Sequence, residues 1–567
     1  MESLLSHQQL LLDIYTSSFR TVDPKTFMTK LQSLIISLRK IIMSSINASV
    51  QQAHFHILKQ LYKYIVYTRD IYGGLGEREL TYQMLFIWNY HFPIPTAKCI
   101  HFMVLPLDKA PPYGSWRDIK ALCLCIRSFS DKRDNDPLID TCIGLMNHYL
   151  HLDSEKWADA LDLFNSKFGT PWEIPRPSPA DYDMSLVARW IPRESSSFGW
   201  LFDKCAVQWI RSFRAPYLQS SVDNPERFQK ALRKGKKEYR QVISRLSKAW
   251  DTLQIKQCAP LWDSIDPLSI PMNAMMSQQQ SLLNIDRRGS LRTATMHSKD
   301  RNTCAAKIQA AWLTHKSKNP VFVDMGFFMK QFLRISHPLE IKRIESLWST
   351  VLSQISPLSY FVPLLDLSLF STDIDLFYVF MSMALAIASK STVFESNKRL
   401  LCFDSTVHFV SLSDSSFKTM IDMMKPIYHQ HHIGSDIIRA CSFIIHAIEE
   451  SKLSDDCISN IVFVIFSAYS VEKYTLMKDH FHLAGIACPT FLWFPTDISS
   501  FSATGGGGSG GPIPVIGHSN HILSQISHVP NKAWHSMTPY SFFSSLLQNP
   551  RYDPIDQYFS TILRGGT

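Results

Sequence analysis

No CxxC pair occurs among the eleven cysteines. The nearest two, Cys123 and Cys125, stand two apart, which is not a zinc-ligand spacing. Their odd number and scatter fit reduced thiols, mostly buried as small apolar residues. A nucleophile elbow, an HExxH helix and a pair of catalytic carboxylates are also missing. No recognisable hydrolase or metalloprotease signature is left, although a triad assembled from distant residues would leave no such trace. The opening MESLLSHQQLLLDIY has neither the basic start nor the small-residue cleavage site of a signal peptide. The best membrane candidate, Leu376 to Ala388, falls short of the roughly 20 apolar residues a span needs, so it reads as a buried helix. The expectation is a soluble, cytoplasmic chain with no membrane partner and no catalytic role.

The 567 residues present suffice for roughly two to four domains. Hydrophobic residues at 45% against 19% charged place the chain among folded proteins, with cores large enough to need no staples. The formal charge of +9 and pI near 8.9 are a moderate basic excess. They are compatible with nucleic acid as a partner without demanding it, so the distribution of charge decides more than its total.

Strand-like alternation is scarce before residue 320. Residues 27–43 put Leu31, Leu34, Ile35, Leu38, Ile41 and Ile42 on one helical face. Similar patterns run through 55–68, 77–90, 116–127, 138–151 and 197–214, separated by prolines and short polar turns. Helix pairs stacked on one another are expected there, with no strict repeat. Pro171, Pro175, Pro177 and Pro179 mark a long connection, and the polar, basic stretch 285–320 looks like an insertion or linker. After residue 355 the pattern changes. Tyr360–Leu365, Leu400–Phe403, Val407–Leu412, Ile461–Phe466 and Thr490–Phe494 read as strands. Ile374–Ala388, Ser435–Glu450 and Val471–Leu483 read as helices between them. The continuous apolar run Ile461–Phe466 suits a central parallel strand, and the alternation predicts an open, mostly parallel sheet. The glycine-serine run at 504–511 is expected to be a flexible loop inside this domain.

The segment Thr68-Arg69-Asp70-Ile71-Tyr72-Gly73-Gly74-Leu75-Gly76-Glu77-Arg78-Glu79 invites comparison with a phosphate-cradling loop. A P-loop needs GxxxxGK[ST], and a dinucleotide fingerprint needs a preceding strand where Leu61–Tyr67 reads as helix. A tight interhelical turn is the favoured reading. The same segment resembles a signature of a largely uncharacterised family of plant and large-DNA-virus proteins, which join a Ro-autoantigen-like (TROVE) helical module to a von Willebrand A domain. Three further stretches resemble that family in order: Pro112–Ile119, Ser185–Glu194 and Tyr239–Leu246, followed by Trp262-Asp263-Ser264-Ile265 and Pro271. The resemblance spans roughly 55–280 and 335–567.

Charge is concentrated at Arg227, Lys230, Arg233, Lys234, Lys236, Lys237, Arg240, Arg245 and Lys248, opposed nearby only by Glu226 and Glu238. Such density attracts phosphate and releases counterions on binding, and equally describes a solvated helix face. In Ro-like proteins a helical ring holds RNA through a basic hole and rim, so the resemblance makes this stretch the candidate RNA contact. Ala305, Ile308, Gln309 and Trp312 resemble the start of an IQ motif, but its later arginines are absent. A plain amphipathic helix is favoured over a calmodulin-like partner.

The A-domain resemblance implies a divalent-ion site of hard oxygens, an Asp-x-Ser-x-Ser motif with a Thr and an Asp from other loops, suited to magnesium. Here Asp366 and Ser368 match, but Phe370 stands at the second Ser. Ser435, in Gly434-Ser435-Asp436, stands in for the Thr, and Ser467-Ala468 lacks the acidic residue. Asp366, Ser368, Ser435 and Asp436 are therefore expected to form a degenerate site with weak or no magnesium binding and no other cofactor. His429-Gln430-His431-His432 could suggest zinc, but a surface loop is favoured.

The expected architecture is α+β and multidomain. A HEAT-like or TROVE-like helical domain over 1–284 precedes a basic linker with the IQ-like helix over 285–335. A von Willebrand A-like α/β domain of Rossmann-type parallel sheet covers 336–567. The expected function is a non-catalytic RNA-binding scaffold similar to Ro-type ribonucleoproteins. The alternative is a protein–protein adaptor or virion component working through a metal-independent A-domain.

Overall fold

A computed structural model describes residues 2–16, 23–107, 110–168, 178–219, 224–259, 261–270, 272–286, 290–292, 298–314, 323–334, 338–358, 360–392, 398–412, 416–430, 434–451, 454, 457–458, 460–468, 470–496 and 511–564. The chain is mostly helical, with one mostly parallel sheet in its C-terminal half. It divides into two compact units, residues 1–87 with 315–567, and residues 88–314. The first helices fall in the sheet-bearing unit, and the 298–314 helix in the other.

In the first unit the sheet has six strands: β1 (Phe361–Asp366), β2 (Arg399–Phe403), β3 (Val407–Ser411), β4 (Val462–Ser467), β5 (Thr490–Pro495) and β6 (Ile513–Pro514). Their order is β3-β2-β1-β4-β5-β6, parallel except for the antiparallel β2–β3 pair. β1 and β4 are buried along their whole length, as strands covered on both faces must be, whereas β3 leaves alternate residues in solvent. Helix Ile374–Lys390 covers one stretch of sheet through Phe380, whose ring lies 5.2 Å from Phe466 and 6.4 Å from Phe494. Its residues from Leu376 to Ala388 are almost all buried, as expected of a core helix. Among the described residues no helix is long and apolar enough to cross a membrane.

The N-terminal helices α1 (Glu2–Thr16), α2 (Pro24–Ser44) and α3 (Ala48–Arg69) belong to this unit for a packing reason. Tyr15 of α1 packs on Phe543 at 5.0 Å and accepts a hydrogen bond from the Ile516 N–H at 3.3 Å. Tyr62 of α3 stacks on Phe559 at 4.8 Å, and Lys63 pairs with Asp556 at 2.6 Å. The glycine-rich segment follows α3 and leads into α4 (Glu79–His91), within which the two units divide. It is an interhelical turn. A Cβ on Gly74 would lie 1.9 Å from the Tyr67 carbonyl oxygen, so only glycine fits. The fully buried Asp70 accepts from Arg551 Nε at 2.7 Å and Nη2 at 2.9 Å, and from the Tyr552 hydroxyl at 2.9 Å. The motif ties the end of α3 to the C-terminal helices.

The second unit holds α5 (Pro93–Val104), α6 (Trp116–Phe129), α7 (Pro137–Phe168), α8 (Val187–Trp190), α9 (Gly199–Phe213), α10 (Ala215–Gln219), α11 (Pro225–Ala249) and α12 (Leu253–Cys258). One of its cores gathers Trp262, Ile265, Met275, Leu282, Cys304 and Ile308. The last two come from helix Ser298–Thr314, expected above to lie in a linker. Of the IQ-like stretch, Ala305 and Ile308 are buried, while Gln309 is exposed. Most cysteines are buried, and none of them forms a disulfide. His431, His432, residues 504–510 and Pro171, Pro175 and Pro177 lie outside the described residues.

Candidate functional sites at the sheet edge and on a basic helix

The sheet order reverses at β1. The chain runs outward from β1 to β2 and β3, then returns to place β4 on the other side of β1. In open α/β sheets the crevice beyond the carboxyl ends of the strands at such a reversal is where ligands bind. Asp366 is the last residue of β1 and Ser467 the last of β4, and both are fully buried.

The Asp366 carboxylate gathers hydroxyls from three places. Its Oδ1 accepts the Ser368 N–H at 3.0 Å and the Ser368 hydroxyl at 2.6 Å. Its Oδ2 accepts the Ser435 hydroxyl and the Ser467 hydroxyl, each at 2.6 Å. The structure therefore brings Asp366, Ser368 and Ser435 together at the strand ends. Asp436 is not part of this cluster. It is exposed and caps helix Ile437–Ser451, accepting the Arg439 N–H at 3.0 Å. The A-domain pattern looks for an acid at the position of Ala468 and gives Ser467 no part. Its signal was a hydroxyl closing an otherwise apolar strand. Phe370 turns into an aromatic group with Tyr428 at 5.0 Å, Phe377 at 5.3 Å and His429 at 5.5 Å.

The donor set is thus one carboxylate and three hydroxyls, with both carboxylate oxygens already accepting two hydrogen bonds. A magnesium ion surrounded by these groups would meet a single negative charge, and every hydroxyl would have to give up its present acceptor. The residues present do not fit a tightly held magnesium. Among the described residues no group of three or more His, Cys, Asp or Glu converges to hold a metal.

The basic stretch forms the greater part of α11. Asn224 caps its start, accepting from the N–H groups of Glu226 and Arg227, and Pro225 occupies the first turn. Gly235, Tyr239 and Leu246 are its buried residues. A Cβ on Gly235 would lie 2.6 Å from Ile210, so glycine permits the close approach of α11 to α9. Tyr239 donates to Asn147 Oδ1 of α7 at 2.9 Å and packs against Trp209 at 5.5 Å. With 3.6 residues per turn, Lys230, Arg233, Lys234, Lys237 and Lys248 fall on the face opposite those anchors, with Arg227 at its edge. All six are exposed.

Not all the named cations are equivalent. Lys236 pairs with Asp203 and Arg240 with Glu194, while Arg245 donates to the Ser154 hydroxyl at 2.8 Å. Arg245, turned to that hydroxyl, lies toward the flank. Glu238 is engaged by Arg214 at 3.3 Å. Arg227, Lys230 and Lys237 have no ion-pair partner among the described residues. The outer row spans about 32 Å at 1.5 Å per residue.

Comparison with family models, curated proteins and solved structures gives no match to this chain.

Proposed function

We propose that the chain is a non-catalytic RNA-binding scaffold, similar in plan to Ro-type ribonucleoproteins, with α11 as its phosphate-contacting surface. The outer row of exposed cations on that helix, from Arg227 to Lys248, is the observation that carries this reading. Lys and Arg held along a rigid helix neutralise successive phosphates and gain affinity from released counterions. The sheet order and the clustering of Asp366, Ser368 and Ser435 at the strand ends support the accompanying resemblance to a von Willebrand A domain. Asp366 accepts hydrogen bonds at both oxygens, which supports a structural part for this carboxylate. The test is filter binding of the full-length protein to single-stranded RNA over a range of salt, with crosslinking and sequencing to identify the bound species. Binding absent even at low salt would discard the reading.

A second reading has its own observation. The Asp366 cluster is complete without an ion, so the sheet edge can present a fixed surface to a protein partner, as an adaptor or virion component would. Co-purification of one protein partner, lost when exposed Ala468 and Asp436 are substituted and kept when α11 is neutralised, would favour it over RNA binding.

A further inference from the structure

Two segments noted for their family resemblance, Ser185–Glu194 and Tyr239–Leu246, lie far apart in the chain. In the structure both contribute to the lining of one open cavity of about 680 Å³, closed further by Lys248 and Ile255. That volume lies within the usual range for small-molecule sites. The cavity is framed rather than incidental. Ser185 is held by Asp153 through its N–H at 3.0 Å and its hydroxyl at 2.6 Å. The Trp250 indole N–H donates to the Ser185 carbonyl at 3.1 Å, and the Ser247 hydroxyl to the Ala188 carbonyl at 3.3 Å. These bonds fasten the 185–194 segment to α7 and to the end of α11.

The lining combines two chemistries. Ile191, Ile243 and Ile255 supply apolar wall. Arg189, Arg193, Arg240 and Lys248 supply charge against one carboxylate, Glu194, which is spent on Arg240. Arg189 donates to the amide oxygen of Gln254 at 2.9 Å, not to an acid. Although Arg189 is exposed as a residue, loss of hydration in the cavity pulls its pKa below the ordinary arginine value. Arg193 and Lys248 have no ion-pair partner among the described residues. Cations left uncompensated beside an apolar wall suit a ligand that is anionic at one end and flat and apolar at the other. Guanidinium groups match phosphate in geometry and also stack on bases.

We propose that this cavity binds one nucleoside monophosphate unit, its phosphate held by Arg189, Arg193 and Lys248 and its base lying against Ile191, Ile243 and Ile255. The unit can be a free nucleotide or one residue of a strand that crosses α11, and only the second source rests on the RNA-binding reading.

The test uses the full-length protein, with equilibrium dialysis of AMP, adenosine and inorganic phosphate as separate arms and filter binding of an adenosine oligoribonucleotide. AMP should bind about tenfold or more tighter than adenosine or phosphate, since charged hydrogen bonds and wall contacts act together. An R189Q/R193Q variant, exposed at both positions, should lose at least about tenfold in AMP affinity, while K230Q/K237Q should leave it unchanged. AMP should also displace part of the oligonucleotide from the unaltered protein if a strand is the source. AMP binding with no oligonucleotide binding would keep the cavity proposal and overturn the RNA reading. Oligonucleotide binding weakened by K230Q/K237Q, with no AMP binding and no effect of R189Q/R193Q, would overturn the cavity proposal and keep the RNA reading. Phosphate binding as tightly as AMP would also overturn it.

Discussion

Replacing Arg227, Lys230 and Lys237 together by Gln removes half of the outer row of α11 without touching its anchors. Gln is a good helix former and all three sites are exposed, so stability should change by no more than about 0.5 kcal/mol. Binding should change much more. For single strands the logarithm of affinity falls against the logarithm of salt with a slope of about −0.7 per neutralised phosphate. One phosphate for each of Arg227, Lys230, Arg233, Lys234, Lys237 and Lys248 gives a slope of about −4, or a roughly 300-fold loss from about 50 to about 200 mM salt. The triple variant should show a slope of about −2 and lose only roughly 20-fold over the same range. It should also bind more weakly at the lowest salt, and equally so for RNAs of different sequence, because phosphate contacts carry no base information. Filter binding at four or five salt concentrations measures both slopes. A variant slope equal to that of the unaltered protein would show that these side chains meet no phosphate, and the assignment of α11 would fall.

Three other outcomes follow from the geometry. Asp70→Asn removes the fully buried carboxylate that Arg551 grips through two nitrogens and should cost about 3–5 kcal/mol in urea unfolding; a loss below about 1 kcal/mol would mean the pair does not hold the C-terminal helices. Melting in millimolar magnesium and in chelator should coincide, because only a ligand bound by the native state raises its melting temperature; an upward shift with magnesium that Asp366→Ala abolishes would refute the reading of that cluster. Burial lowers the pKa of His521 below the ordinary histidine value of 6.5, with Asp70 opposing and Arg551 reinforcing the shift. Its neutral form is the folded one, so its contribution is intact above the ordinary value and is lost as pH falls from there through the lowered folded value. Melting temperature should therefore drop on acidification below about pH 6.5, less steeply in His521→Gln, and parallel curves would exclude this residue as a source of the pH dependence.

Much of the local structure was legible in the residues. The β-branched and aromatic run at 461–466 forms β4, one residue displaced, and the expected strands at 360–365, 400–403 and 490–494 match β1, β2 and β5 to within a residue or so. The period of the 374–388 stretch matches the observed helix, and its shortness had already excluded a span. β6 was not foreseen, because two residues containing a proline carry no alternation to read. At the candidate sites, Asp366, Ser368 and Ser435 could be named from the A-domain resemblance, and the cations of α11 from density. Ser467 could not be ranked, nor could the ion pairs that occupy Lys236 and Arg240, since their partners Asp203 and Glu194 come from segments with no pattern linking them to α11.

The amino-acid sequence by itself determined which segments are helix and which are strand, because periodicity, caps and β-branched runs act over a few residues. It also determined that one face of 225–249 is cationic. Which apolar face meets which was decided only in three dimensions. The stripes of α1 and α3 announce that they must be buried, but say nothing of their partners, Phe543 and Phe559, which lie hundreds of residues away. Helix Ser298–Thr314 shows the same limit, since a mixed, basic sequence hid two residues, Cys304 and Ile308, that fit a distant core. Hydrophobic burial is non-directional and fixes how much surface must be covered. Close packing and buried charge pairs such as Asp70 with Arg551 are specific, and they exist only once the chain has folded.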